Sequence, residues 1–161
     1  MPSSLRTIAV AFTSLAAIGA TAPEDSALPG VRSFTVPLTG AAQSSVGRLV
    51  GTAGDPDGYG MVRLSIDLRT RQVCYDFSLA RLSTPLMAHI HRAPPDRIGP
   101  SVVTLFTGMR SDELVRCIPW TNKRLAEIVA QPSNFYVNVY TTEFPDGAVR
   151  GQLASAGPIS S

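Results

Sequence analysis

The chain has 161 residues, with 14 Lys and Arg against 12 Asp and Glu and a formal charge of +2. That near balance argues against a nucleic-acid partner, which would call for a strongly basic face. Setting aside an N-terminal leader leaves about 140 residues, the usual size of one domain and enough to bury a real core.

Arg6 precedes a run from Thr7 to Thr21 dominated by Ala, Ile, Val, Phe and Leu and ending in small residues. A basic start, a short apolar stretch and a small-residue boundary describe a secretory signal peptide over residues 1–22. The run falls short of the ~20 apolar residues that cross a bilayer, so a retained anchor is the weaker alternative and the membrane is needed only for export. Ala20-Thr21-Ala22 has the A-x-A form, but Pro23 would follow that cut, so cleavage after Gly19 or Ala20 competes. No cysteine lies near the boundary to accept a lipid. The expected location is secreted or periplasmic.

Residues 23–32 carry Pro, Gly and charge without apolar periodicity and read as a flexible leader to a domain over 33–155, with a tail at 156–161. A strand is expected at Ser33 to Leu38 and another at Gly47 to Thr52. Asp55-Pro56-Asp57-Gly58 reads as a plain turn, because a calcium loop would need further carboxylates and a final Glu. Val62, Leu64, Ile66 and Leu68 then alternate with polar residues, and Val73, Tyr75, Phe77 and Leu79 repeat the pattern. The short link Arg69 to Gln72 makes these an antiparallel hairpin. Cys74 falls on the outer phase. In an exported protein its bridge to Cys117 is the default, stapling a covering segment over that face, with two free thiols as the alternative.

Further strands are expected at Leu86 to His91, Ser101 to Phe106, Asn134 to Thr141 and Ala148 to Leu153. One helix is expected, capped by Thr121, with Leu125, Ile128 and Val129 at helical spacing before Pro132 ends it. Pro145-Asp146-Gly147 is a turn in which Gly takes a positive φ, making the last two strands hairpin partners. Many short strands with turn clusters between them indicate an all-β antiparallel sandwich or barrel with one short helix.

The only two histidines, His89 and His91, sit two apart in a strand and so share one face. They read as half of a metal site or as part of a hydrogen-bonded cluster with the last hairpin, around Asn138, Tyr140, Arg150 and Gln152. In that cluster Arg150 either holds Glu143, Asp146 or a backbone carbonyl, or meets a ligand carboxylate. Copper or zinc wants three or four ligands. Tyr140, Asp96, Glu143 and Asp146 are available to complete a set, none at a diagnostic spacing. Ser83, Ser101 and Ser111 lie near the histidines in sequence, which is no evidence of a triad. No nucleophile elbow or phosphate-binding Gly-rich loop is present, and no catalytic residue is assigned.

The order of motifs is specific: Leu38-Thr39-Gly40, Val73-Cys74-Tyr75, Ala88-His89-Ile90-His91-Arg92, Gly99-Pro100-Ser101-Val102-Val103, Tyr136-Val137-Asn138-Val139-Tyr140-Thr141, then Phe144 through Leu153. From about Phe34 to Leu153 the chain resembles the CHRD domain, a module named after chordin and found singly in many secreted bacterial proteins. The resemblance implies a Greek-key β-sandwich outside the cytoplasm, loosely similar to that of copper-zinc superoxide dismutase, and no particular reaction. The two cysteines, the second just ahead of a short helix, also look like those of the single-domain bacterial members. Where that family commonly has His this chain has Tyr140, and Ala42-Gln43 stands where an acidic residue is often seen. Both departures remove groups that ligate metal. The expected function is a binding or structural module without catalysis, with an unidentified protein or envelope polymer as partner. The Pro- and charge-rich loop Arg92 to Gly99 is the expected contact. A copper- or zinc-binding or redox protein centred on His89 and His91, with Tyr140 as a weak ligand, is the alternative.

Overall fold

The structure is a computed structural model that describes residues 30–44, 54–108 and 114–154. The signal peptide, most of the leader, the strand expected at Gly47 to Thr52, Ser111 and the tail lie outside the described residues. Within them the chain forms β1 (Val31–Thr39), one helical turn α1 (Ala41–Ser44), β2 (Tyr59–Asp67), β3 (Gln72–Ala80), β4 (Pro85–Arg92) and β5 (Ser101–Thr107). There follow β6 (Val115–Pro119), helix α2 (Asn122–Ala130), a 3-10 turn at Pro132–Asn134, β7 (Phe135–Thr141) and β8 (Val149–Gln152).

The fold is all-β. All strand pairs are antiparallel, in the order β5-β4-β7-β8-β1-β2-β3-β6. One residue pair, Thr39 with Arg150, joins the four-stranded half β1-β2-β3-β6 to the half β5-β4-β7-β8. The halves face each other across one apolar core, to which Val62, Leu64, Ile66 and Val73 come from one side and Ile90, Val103, Val137 and Val139 from the other. Phe106 of β5 packs edge-on against Phe77 of β3, and the Tyr75 hydroxyl donates to the Leu105 carbonyl at 2.9 Å. Just past β6, Trp120 donates its Nε1–H to the Val102 carbonyl of β5 at 3.1 Å, so the outer edges also meet and the sandwich is nearly a barrel. The connections β3 to β4, β5 to β6 and β6 through α2 to β7 cross between the halves, which is Greek-key wiring.

The β2–β3 hairpin follows the alternation, with Val62, Leu64, Ile66, Val73, Tyr75 and Phe77 buried. Its link is tightened by Asp67 Oδ1, which accepts from the Arg69 and Thr70 amides, and by Arg71 at φ 56°. Three points depart from the sequence reading. β1 begins at Val31, so the extended chain takes in the last two leader residues. Thr121 occupies the cap of α2, but its side chain makes no capping bond, and its backbone carbonyl accepts from Arg124 and Leu125 instead. Cys117 belongs to an unexpected edge strand, β6, and stands directly opposite Cys74 in register. The bridge therefore ties an edge strand to its neighbour within one sheet and does not hold a segment over that sheet. β6 escaped notice because an edge strand buried on neither face carries no apolar alternation, and Val115 is 64% exposed.

Candidate functional site

Ala88 and Ile90 of β4 point into the core and are fully buried, which turns His89 and His91 together to the outer face. Their ring centroids are 5.8 Å apart. Register brings Tyr136, Asn138 and Tyr140 of β7 alongside, and β8 adds Arg150 opposite Asn138 and Gln152 opposite Tyr136. The expected cluster is thus assembled, and Tyr136 joins it on the same strand phase as Asn138 and Tyr140.

This outer face is covered. His91 is 8% exposed, Asn138 4% and Arg150 4%. The cover is the loop 93–100 between β4 and β5, closed by the Arg92 amide donating to the Pro100 carbonyl at 3.0 Å. Three side chains each take one loop carbonyl. His91 Nδ1–H donates to Gly99 at 2.8 Å, Arg150 Nη2 to Arg97 at 3.0 Å, and Gln152 Nε2 to Ala93 at 2.9 Å. Gln152 also donates to the Ser133 carbonyl at 2.7 Å, and the Gly99 amide reaches the Tyr136 hydroxyl at 3.4 Å. The outer part of the loop, Pro94 through Ile98, is exposed, with Asp96 at φ 60°.

A carbonyl only accepts, so His91 Nδ1 carries a proton, and in the neutral ring Nε2 is the acceptor. Tyr140 fills that acceptor with its hydroxyl at 2.8 Å. Both nitrogens of His91 are therefore engaged. Burial holds its pKa below the ordinary 6.5, the charges of His89 and Arg150 push the same way, and the Gly99 bond pulls upward. Burial lowers His89 as well and raises the Tyr140 phenol, away from phenolate. Tyr136 stacks on the His91 ring at 4.9 Å and 14°, and the Arg150 guanidinium lies 3.4 Å from the Tyr136 ring centre. That cation–π contact is the arrangement expected of a desolvated guanidinium. Arg150 takes a backbone carbonyl, as one of its expected partners, and forms no ion pair with Glu143 or Asp146.

From the other side, α1 sends Gln43, whose Nε2 donates to Asn138 Oδ1. Gly147, at φ 128°, lies so close that an added Cβ would run into the amides of both Gln43 and Asn138. Gln43, Tyr136 and the loop carbonyls are the parts of the site that the sequence reading did not assign. Between them lies a cavity of about 70 Å³ bounded by Gln43, His91, Tyr136, Asn138, Tyr140 and Arg150.

The remaining candidates lie elsewhere or do other work. No three His, Cys, Asp or Glu side chains form a metal-holding group among the described residues. Ser101 pairs with His91 across the strands, and no hydrogen bond joins their side chains among the described residues. Ser83 Oγ is buried without a partner among the described residues. Asp55 Oδ1 accepts from the Asp57 and Gly58 amides, which closes a turn and leaves no calcium loop. Among the described residues no helix is long and apolar enough to cross a membrane.

A family model, that of the CHRD domain, matches residues 34–153, most of the chain. No curated protein and no solved structure matches it significantly.

Proposed function

Because this chain belongs to the CHRD domain family, we propose that it is an exported binding module which displays the β4–β5 loop to a protein or envelope-polymer partner and has no reaction of its own. The observation that carries this reading is the clamp: His91, Arg150 and Gln152, from two strands, hold three successive stretches of one loop by its carbonyls. Fixing a loop in advance removes ordering entropy that binding would otherwise cost, and exposed Pro94, Pro95, Asp96, Arg97 and Ile98 are what the fixed loop presents. The Cys74–Cys117 bridge and the apolar run at residues 7–21 support an oxidising compartment reached by export. The test is cross-linking of the exported protein in its native envelope or medium, beside Ile98→Asp in the loop and Arg63→Ala on the solvated outer face of the other half. A partner captured by the wild type and Arg63→Ala but lost with Ile98→Asp supports the reading. His89-dependent turnover of a substrate overturns it.

A second reading, copper or zinc held by His89 and His91 with Tyr140, is favoured by one observation: the His89 ring shares a face with His91 and makes no hydrogen bond to another described residue. Recruiting His91 or Tyr140 would break the bond between them. Elemental analysis of the untagged exported protein beside a His89→Ala, His91→Ala variant decides it. Near-stoichiometric metal lost in the variant favours the metal, and its absence from both favours the clamp.

A further inference from the structure

Resting on the reading of this face as a binding site, we infer that the cavity behind the clamped loop takes one carboxylate group. Arg150 lines the cavity and is almost wholly buried, yet it has no ion pair among the described residues. Only its Nη2 makes hydrogen bonds there, to Arg97 O and Gln152 Oε1, so Nε–H and both Nη1–H groups have no acceptor among the described residues. Tyr136 covers one face of the guanidinium, which leaves the edge for an incoming acceptor. The neighbouring acceptors are already engaged: His91 Nε2 by Tyr140, Asn138 Oδ1 by Gln43. The site thus has a surplus of donors, and the carboxylate of Asp96 on the loop acts on the Arg150 charge through space without pairing with it. An ionised acceptor meeting those donors forms charge-assisted bonds, roughly twice as strong as neutral ones. A volume of about 70 Å³ is room for about two water molecules, which suits a carboxylate with its first carbon. Ile98, 61% exposed at the mouth, offers an apolar surface to the stem behind that carboxylate. Asp146 also lies at the rim, is exposed, and does not reach the guanidinium.

The carboxylate belongs either to a small free acid or to an acidic side chain of a partner. The test is NMR of the ¹⁵N-labelled exported protein, following the Arg150 Nε–H and Gly99 amide signals. The probes are sodium acetate, then a terminally blocked Gly-Glu-Gly peptide with Gly-Gln-Gly as control, each at constant ionic strength set with sodium chloride. A saturable shift with acetate, weakened about tenfold or more in Arg150→Lys, supports the inference, because Lys keeps the charge but not the planar donor set. A shift with the Glu peptide as well assigns the site to a partner's side chain, and a shift with acetate alone assigns it to a free acid. If Arg150→Lys fails to fold, Ile98→Asp on the exposed loop places a negative charge at the mouth and should weaken acetate. An affinity it leaves unchanged overturns the inference, as does a wild-type response that is linear and equal to that of chloride. Loop-dependent partner capture without an acetate response leaves the binding-module reading standing and removes the carboxylate, and an acetate response without loop-dependent capture does the reverse.

Discussion

The two halves of the sandwich bury their inner faces alike and treat their outer faces oppositely. On the β2–β3 side burial alternates along the strands, and the outer face is left to water, with Arg63 and Asp76 paired in solvent at 3.5 Å. On the other side β7 is buried along nearly its whole length, so its outer residues Tyr136 and Asn138 are as enclosed as its core residues. Enclosing polar side chains costs desolvation unless every group finds a partner. The contrast shows that the β4-β7-β8 face is organised around a polar cluster, while the other outer face carries the disulfide and a solvated ion pair.

That contrast can be broken at the disulfide, where the effect should be largest. Replacing Cys74 and Cys117 together by Ser removes a cross-link spanning 43 residues of sequence and should cost about 3–4 kcal/mol in urea unfolding on the chain-entropy account. The loop contacts at the far face should survive, with the Gly99 amide still slow to exchange. Arg150→Ala should cost about 2–3 kcal/mol, through the lost cation–π contact and loop bond, and should free the 93–100 loop to proteolysis. Tyr140→Phe removes one hydrogen bond and should cost about 1 kcal/mol, leaving His91 Nε2 without its acceptor role filled. Arg63→Ala, on the solvated face, should change stability by less than about 0.5 kcal/mol.

Acid sharpens the same comparison. His89 and His91 both have folded pKa values below the ordinary 6.5, so the unfolded chain binds protons more readily than the native one. Their contribution is therefore complete above about pH 6.5 and is lost as pH falls through the lowered folded values. A melting series from pH 8 to 5 should show this loss in the wild type and a smaller one in His89→Ala, His91→Ala. An equal loss in both would place the acid sensitivity outside the cluster.

Period-two alternation made the hairpin of β2 and β3, β4 and the β7–β8 pair legible, because each buries an inner face. The shared face of His89 and His91, and of Asn138 and Tyr140, followed from the same parity, and Tyr136 was open to the same argument. What sequence could not reveal was contact between a side chain and a distant backbone. The carbonyls of Ala93, Arg97 and Gly99 have no residue signature, and Gln43 reaches Asn138 across 95 positions through a single helical turn. β6, with no fully buried residue and only Ile118 packed against the core, gave no periodic signal.

His91 is a neutral strut, with its proton on Nδ1 for the loop and Nε2 turned to Tyr140. The most direct measurement is ¹⁵N NMR of the imidazole rings at neutral pH, before and after addition of zinc. A protonated Nδ1 and an unprotonated Nε2 in His91, both unmoved by the metal, are expected. A proton on Nε2, or a His91 signal displaced stoichiometrically by zinc, would contradict this assignment.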